Sequence, residues 1–209
     1  MSDILQPVPW LPFVATEYIK SLKLESIFEW GSGGSTLFFI ALEVNHLVSI
    51  EHDQEWYNKV KQQRLSTTKL FSTIEYQIVD HYHIPYQQGE LGPDKANPHH
   101  YKSGSTELGP VNFKKYVSAI DQYGKFDLIL IDGMARASCL YHAVNHVKEG
   151  GCIVLDNVGD RPYYLEKTEH LFGNYEDGWE RILFTGYGPI LDYQWSTLIL
   201  KNTRKKSYE

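Results

Sequence analysis

The sequence predicts an α/β fold in which helices cover both faces of a mostly parallel sheet and the sheet ends in an antiparallel hairpin. Apolar runs of strand length alternate with helical patterns along most of the chain, which is typical of parallel strands joined by helices. The last two runs are separated only by residues 187–194, too few for a crossover helix, so we expect them to pair antiparallel. The predicted strands are Ser26–Trp30, His46–Glu51, Ile74–Asp80, Phe126–Asp132, Gly151–Asp156, Arg181–Gly186 and Trp195–Lys201.

Helical patterns occupy the spaces between most of these strands. One pattern begins after a glycine-rich turn at Leu37–Leu42, and a second spans Gln54–Leu65. Apolar residues repeat at helical spacing over Ala135–Lys148, and the glycine pair at 150–151 is expected to stop that helix. The segment His81–Pro110 has no clear period and exceeds the roughly 12–15 residues of an ordinary loop, which predicts a lid, a binding loop or disorder.

The length of 209 residues fits one domain, 1–209, with a sizeable core. Residues 1–25 are expected to form an N-terminal helical extension, and residues 202–209 a flexible tail. The formal net charge is −6, which disfavours nucleic acid as a partner. A small-molecule substrate is expected instead, and the oligomeric state stays open.

The cysteines and the hydropathy pattern predict a cytoplasmic protein. The two cysteines, Cys139 and Cys152, show neither metal-ligand spacing nor a disulfide framework, which favours a reducing compartment. No apolar run reaches the roughly 18 residues of a membrane-spanning helix. The N-terminus lacks the basic start and apolar stretch of a signal peptide, so no membrane association is expected.

The stretch that begins at Glu29 joins a predicted strand to a helix through the turn Gly31-Ser32-Gly33-Gly34. Glycines let the backbone approach a ligand closely, and a helix start offers free N–H groups. Glu51 ends the next strand, 20 residues after Gly31, where doubly wound folds place an acid that binds ribose hydroxyls. Together these residues predict a nucleotide-type cofactor site. The alternative for the glycines is a plain strand-to-helix turn. The alternative for Glu51 is a solvated acid that starts the helix Gln54–Leu65, or a turn in which Asp53 is the N-cap of that helix.

The residues in and around the turn narrow the choice of nucleotide. Thr36 stands where a dinucleotide fingerprint needs its third glycine, and no lysine follows the glycines as a phosphate-binding loop would require. Glu29 would repel phosphate but suits a cationic amino-acid moiety. A cofactor with a ribose and no pyrophosphate therefore fits better than a dinucleotide.

With these residues the chain resembles the class I S-adenosylmethionine-dependent methyltransferases, whose first motif is a strand ending in an acid followed by G-x-G. The resemblance covers about residues 26–201 and implies a Rossmann-like, doubly wound sheet of seven strands that ends in an antiparallel hairpin. It implies that the Gly31–Gly34 turn lies against the methionine part of S-adenosylmethionine and that Glu51 binds the ribose. It further implies that His52 flanks the adenine and that Asp80 meets the adenine amino group.

Three oxygen-bearing residues follow the fourth and fifth strands, at the edge of the sheet where ligands bind in open α/β folds. Asp132, Asp156 and Asn157 are hard ligands that suit Mg²⁺, which would lower the pKa of a substrate hydroxyl. They are similar to the metal triad of catechol-type O-methyltransferases, and Asp132 is expected to act in catalysis and to contact the cofactor. Ordinary helix-cap and turn roles are the alternative.

The chain departs from that triad's pattern in one residue. Ala135 stands where the catechol-type enzymes have a lysine, and the basic residue here is Arg136, which cannot accept a proton at ordinary pH. Either a metal alone activates the nucleophile, or Arg136 has another task at the catalytic site, such as holding an anionic substrate group. His99 and His100, in the long segment, are further candidates for a general base.

The sequence therefore predicts methyl transfer from S-adenosylmethionine to a small molecule, with a hydroxyl oxygen preferred as acceptor because of the possible metal triad. A pair of tyrosines near Arg161, Tyr163 and Tyr164, either walls a substrate pocket or packs in the core. Three other functions stay open: an NAD(P)-dependent oxidoreductase, a non-catalytic nucleotide-binding interaction protein, and transfer of another part of the cofactor.

Overall fold

The computed structural model describes residues 5–66, 73–78, 82–83, 94–103, 111–172 and 178–204. Asp80, most of the segment His81–Pro110 and residues 205–209 lie outside this part of the chain. The strands are β1 (Ser26–Trp30), β2 (His46–Glu51), β3 (Thr73–Ile78), β4 (Tyr82–His83), β5 (Val111–Asn112), β6 (Phe126–Ile131), β7 (Val147–Leu155), β8 (Trp179–Gly186) and β9 (Trp195–Asn202). The helices are α1 (Phe13–Lys20), α2 (Gly34–Ala41), α3 (Gln54–Ser66), α4 (Lys114–Val117), α5 (Arg136–Ala143) and α6 (Tyr163–Glu166), with 3-10 turns at Ser118–Gln122 and Glu169–Leu171.

The main sheet is mixed, and its strand order positions the site. The order is β3-β2-β1-β6-β7-β9-β8, parallel from β3 to β7, with β9 antiparallel to both of its neighbours. The strands β2 and β3 therefore lie on one side of β1, and β6 to β9 lie on the other side. Ligands of such sheets bind outside the carboxyl ends of the two strands at this switch point. The predicted α/β architecture is confirmed.

Alternate residues of the central strands pack on opposite faces of the sheet, as the two-residue period of a strand requires. Ile27 belongs to a buried cluster with Phe39, on the side of α1 and α2. Phe28 belongs to the opposite cluster, which includes Val117 and Leu140 from α4 and α5. Two apolar layers thus hold the sheet rigidly between helices. Among the described residues, no helix is long and apolar enough to cross a membrane.

The predicted helix over Ala135–Lys148 is wrong at its C-terminal end. Helix α5 ends at Ala143, a turn follows in which the amide of His146 donates to the Ala143 carbonyl (2.9 Å), and β7 begins at Val147. Val147 extends the helical spacing but is fully buried beside β6 instead. The pairing with β6 skips the residues after Val147, so the glycine pair at 150–151 lies in a bulge and stops no helix. Burial between strands therefore overrides the helical period.

Candidate cofactor and catalytic site

The turn after β1 packs directly on the turn after β6. Gly31 has φ +92°, a conformation that side chains disfavour, and a Cβ added there would lie 2.8 Å from the Cα of Gly133. The same Cβ placed on Gly133 would meet the hydroxyl of Tyr116 at 2.0 Å. Both turns therefore need glycine at their contact, and this contact brings Asp132 beside the glycine-rich turn.

Glu29 lies behind the turn and holds it in shape. Its carboxylate accepts hydrogen bonds from the hydroxyls of Ser35 (2.8 Å) and Thr36, and Thr36 Oγ1 accepts one from the Gly33 amide (2.9 Å). The side chain is fully buried, and this burial raises its pKa to about 7, although the hydroxyls favour the charged form. Thr36 stands where a dinucleotide-binding sequence would have a glycine. In this structure it links Glu29 to the start of α2.

Glu51 lines the cavity, and both oxygens of its carboxylate accept hydrogen bonds. One carboxylate oxygen accepts from the amide (3.1 Å) and the hydroxyl (2.9 Å) of Ser32. The other accepts from the amides of His52 (2.8 Å) and Asp53 (2.9 Å), and the His52 ring nitrogen Nδ1 lies 2.9 Å from it. Burial raises the pKa of Glu51, but these hydrogen bonds outweigh it and lower the pKa below the usual value. Glu51 is therefore an ionised acid fixed at the end of β2.

Two tryptophans form a wall beside the glycine-rich turn. Asp53 caps α3, because its carboxylate accepts a hydrogen bond from the Trp56 amide (2.7 Å), as the sequence alternative proposed. The Trp56 indole N–H donates to the Ser32 carbonyl (2.6 Å), and the Trp10 ring lies 5.8 Å from the Trp56 ring, centroid to centroid. The wall thus joins the N-terminal segment, α3 and the turn.

The three residues of the predicted metal triad do come together, but around the guanidinium of Arg136. Its Nη2 lies 2.9 Å from Asp132 Oδ1, and its Nη1 donates to the Asp156 carbonyl (2.8 Å) and to Asn157 Oδ1 (3.1 Å). Further hydrogen bonds reach the carbonyls of Gly133 (3.0 Å) and Asp132 (3.1 Å). The arginine, only 7% exposed, therefore uses its donors within the two turns.

This arrangement does not fit the predicted Mg²⁺ site, because the arginine already supplies the positive charge that the carboxylates need. Asp156 is further occupied, since one of its oxygens accepts from the Trp195 indole (3.1 Å) and the Thr197 hydroxyl. In the described part of the chain, no group of three or more His, Cys, Asp or Glu side chains is arranged to hold a metal. The same contacts occupy the N–H donors of Arg136, so its second proposed task, holding a substrate anion, would require some of these hydrogen bonds to break.

Asp132 keeps one carboxylate oxygen available. Its Oδ1 pairs with Arg136, while no described residue hydrogen-bonds to Oδ2, and the side chain is 19% exposed at the cavity. Burial raises the pKa of Asp132 to about 7, although the guanidinium lowers it, and Asp156 and Glu29 add repulsion that raises it. A carboxylate with such a pKa is suited to accept a proton at neutral pH.

A cavity of about 1240 Å³ joins these groups. It is lined by the glycine-rich turn with Glu51 and the tryptophan wall, by Asp132 and Arg136, and by a region beyond Arg136 around α6. Single ligand sites measure about 300–1,000 Å³, so the cavity is large enough for a cofactor and a second molecule.

No family model and no curated protein matches the sequence, but the fold matches solved structures. A methyltransferase-like protein from Silicibacter pomeroyi is 19% identical, over 93% of this chain and 89% of its own, with a TM-score of 0.55. An O-methyltransferase from Bacillus cereus in complex with SAH is 14% identical, over 90% and 77%, with a TM-score of 0.57. The N-methyltransferase NodS from Bradyrhizobium japonicum is 12% identical, over 92% and 93%, with a TM-score of 0.51.

The fold is that of the class I S-adenosylmethionine-dependent methyltransferases. These structures include both an O- and an N-methyltransferase, so the likeness establishes the fold and leaves the acceptor open. The acceptor therefore depends on the groups that line the cavity of this chain.

Within the methyltransferase fold, sequence reasoning missed the residues that distant segments bring to the cavity. Trp10 comes from the N-terminal segment, and Lys95 and Ser103 come from the described part of the long segment. No local spacing marks these residues, because their contacts are made only after the chain has folded. His99 and His100, in contrast, do not line the cavity: the His99 ring packs on Tyr141 and His100 Nδ1 accepts from the Asp94 amide (2.9 Å).

Proposed function

We propose that this protein transfers a methyl group from S-adenosylmethionine to a hydroxyl oxygen of a small-molecule acceptor. The observation that carries the proposal is the cavity in which the glycine-rich turn and Glu51 open onto Asp132. The glycine-rich turn and the ionised Glu51 suit the methionine and ribose parts of the cofactor, as the sequence expects. His52, which also lines the cavity, is proposed to flank the adenine.

The residues present also define how the acceptor would be activated. When bound, S-adenosylmethionine supplies an electrophilic methyl group on a sulfonium, whose sulfur keeps the bonding electron pair when the methyl leaves. Asp132 Oδ2 accepts the proton of the acceptor hydroxyl while the new oxygen–carbon bond forms. Arg136 fixes Asp132 through Oδ1 and cannot itself take the proton. The chain thus provides a base held by a cation in place of a metal.

Calorimetric titration with S-adenosylmethionine and S-adenosylhomocysteine tests the cofactor assignment. We expect binding by the wild type and at least about tenfold weaker binding by Glu51→Ala, because a charge-assisted hydrogen bond is lost. Glu149→Ala removes an exposed acid from the β7 bulge and is the matched control. No binding by the wild type, or equal binding by Glu51→Ala, would contradict the proposal.

Replacement of the proposed base tests the chemistry separately. Asp132→Asn keeps the shape of the side chain but cannot accept the proton, so turnover should fall about 10²–10⁴-fold. The affinity for S-adenosylhomocysteine should change much less than turnover, which distinguishes loss of the base from loss of the cofactor site. Transfer of labelled methyl from S-adenosylmethionine to hydroxyl compounds is the measurement. Undiminished turnover would show that another group accepts the proton.

A further inference from the structure

The region of the cavity beyond Arg136 carries two cations that the proposed methyl transfer does not use. Lys95 and Arg161 both line the cavity and are solvent-exposed. Among the described residues, neither has a carboxylate within 4 Å, unlike Arg136, whose charge is spent on Asp132 and Asp156. Asp160, also at the rim, is the acid nearest to Arg161 along the chain.

Two tyrosines hold these cations in place. Lys95 Nζ lies 4.1 Å from the centroid of the Tyr163 ring, and Arg161 Nη1 donates to the hydroxyl of Tyr164 (3.0 Å). The Tyr163 and Tyr164 rings are themselves packed edge to face, 4.6 Å apart. Cations that are already held by contacts with neighbouring side chains lose less conformational entropy when a ligand binds, which favours an anion site.

The loop that carries Lys95 is anchored to the same part of the fold. Asp94, the residue before Lys95, pairs with Lys167 just after α6. The Lys167 Nζ lies 2.5 Å from Asp94 Oδ2. On the other side of the loop, the Ser103 hydroxyl donates to the sulfur of Met134 (3.1 Å), next to the turn after β6. The position of Lys95 is therefore set by contacts on both sides of it.

A chain of contacts connects this region to the proposed base. Arg136 pairs with Asp132 at 2.9 Å, its guanidinium carbon lies 5.6 Å from the centroid of the Tyr164 ring, and Tyr164 meets Arg161. Arg161 is thus linked to the proton acceptor through Tyr164 and Arg136, and Lys95 lies over the neighbouring Tyr163 ring. Asp132, Lys95 and Arg161 all line the same cavity, so one ligand of sufficient length can contact the base and the cations together.

We infer that Lys95 and Arg161 bind an anionic group of the methyl acceptor, so that the substrate class is a small hydroxyl compound with a carboxylate or phosphate at its far end. The inference rests on the proposed function. A guanidinium binds both anions through paired hydrogen bonds, and the ammonium adds a point charge, so the two anions share one recognition chemistry.

Binding to the S-adenosylhomocysteine-loaded protein tests the inference without turnover. The probes are three compounds of similar size: 4-hydroxybenzoate, 4-hydroxyphenyl phosphate and the neutral 4-hydroxybenzyl alcohol. We expect at least one anion to bind about tenfold or more tightly than the alcohol, which corresponds to one charge-assisted hydrogen bond. The anion that binds more tightly shows whether the site prefers a carboxylate or a phosphate.

Variants assign this preference to the two residues. Arg161→Gln and Lys95→Gln should each reduce the anion preference by about tenfold while binding of the alcohol stays constant, and Lys125→Gln, an exposed lysine outside the cavity, should change neither. Equal binding of all three probes, no binding of either anion, or a preference that survives in both variants would overturn the inference. Failure to bind S-adenosylhomocysteine would instead refute the proposed function, so the two failures are distinguishable.

Discussion

At the scale of single residues, the site is built from polar groups that are buried together and satisfy one another. Glu29 is the clearest case, because its partners among the described residues are the hydroxyls of Ser35, Thr36 and Ser49 and include no cation. A buried carboxylate without a cation holds its proton more firmly than an exposed one. Its protonation is therefore coupled to folding.

The coupling of Glu29 protonation to folding predicts how the stability of the protein changes with pH. The pKa of Glu29 is about 7 in the folded protein and near the ordinary 4.5 when unfolded, so the folded state binds the extra proton between these pH values. The contribution of Glu29 to the free energy of unfolding is present below about pH 4.5 and is lost as pH rises to about 7. Urea unfolding should therefore show that Glu29→Gln gains stability relative to the wild type between pH 5 and 8, by at most a few kcal/mol. An identical difference at both pH values, as expected for the exposed Glu149→Gln control, would contradict this.

Gly31, at the contact of the two turns, should not tolerate a side chain. Gly31→Ala should destabilise the protein by at least about 1–3 kcal/mol and abolish cofactor binding, because a Cβ there is strained and meets the Gly133 backbone. Gly124→Ala is the matched control, since nothing lies within 4 Å of a Cβ at that position. Thermal unfolding and calorimetry measure the two effects. Equal melting temperatures for the two variants would show that the turns can separate.

At the scale of elements, a helix or strand is predicted correctly where its signal in the sequence is local. The bounds of β1 and β2 agree with the prediction, because an apolar run, an acid and a turn residue stand next to each other. The end of α5 could not be predicted, because valines at positions 144 and 147 fit a helix and a strand equally well until the neighbouring strand is known. The tryptophan wall could not be predicted for a related reason, since it joins Trp10 to α3 across 46 residues.

The tryptophan wall should contribute to ligand binding more than to stability. Trp10 is 40% exposed and lines the cavity beside Trp56, so Trp10→Ala should weaken S-adenosylhomocysteine binding by roughly 2- to 10-fold, the value of one aromatic contact. The melting temperature without ligand should change little, because the ring is only partly buried. Phe13→Ala, an exposed aromatic of α1 outside the cavity, is the control for a general effect of losing a ring. Equal affinities for the two variants would place Trp10 outside the binding site.

At the scale of the whole molecule, the strand order brings two turns from different parts of the chain to one edge of the sheet, where they must be joined. Arg136 joins them, since it contacts Asp132 and Gly133 after β6 and Asp156 and Asn157 after β7. The sequence indicated that the acids meet at this edge. It could not show that Arg136, one position after the lysine site of the catechol-type enzymes, would place its guanidinium between them. An arginine can do this because its five donors reach several acceptors at once.

Arg136 should therefore contribute strongly to the stability of the protein. Arg136→Met should lower the free energy of unfolding by about 3–5 kcal/mol, because it leaves two carboxylates buried without their cation. Arg181→Met, which breaks an exposed pair with Glu169, should cost less than about 1 kcal/mol.

In the wild type, neither EDTA nor millimolar Mg²⁺ should change the melting temperature or the rate of methyl transfer, because the guanidinium already neutralises the cluster. A melting temperature that rises with Mg²⁺ in the wild type would show that a metal binds despite the arginine. A rise confined to Arg136→Met would show instead that the metal takes the position that the arginine vacates.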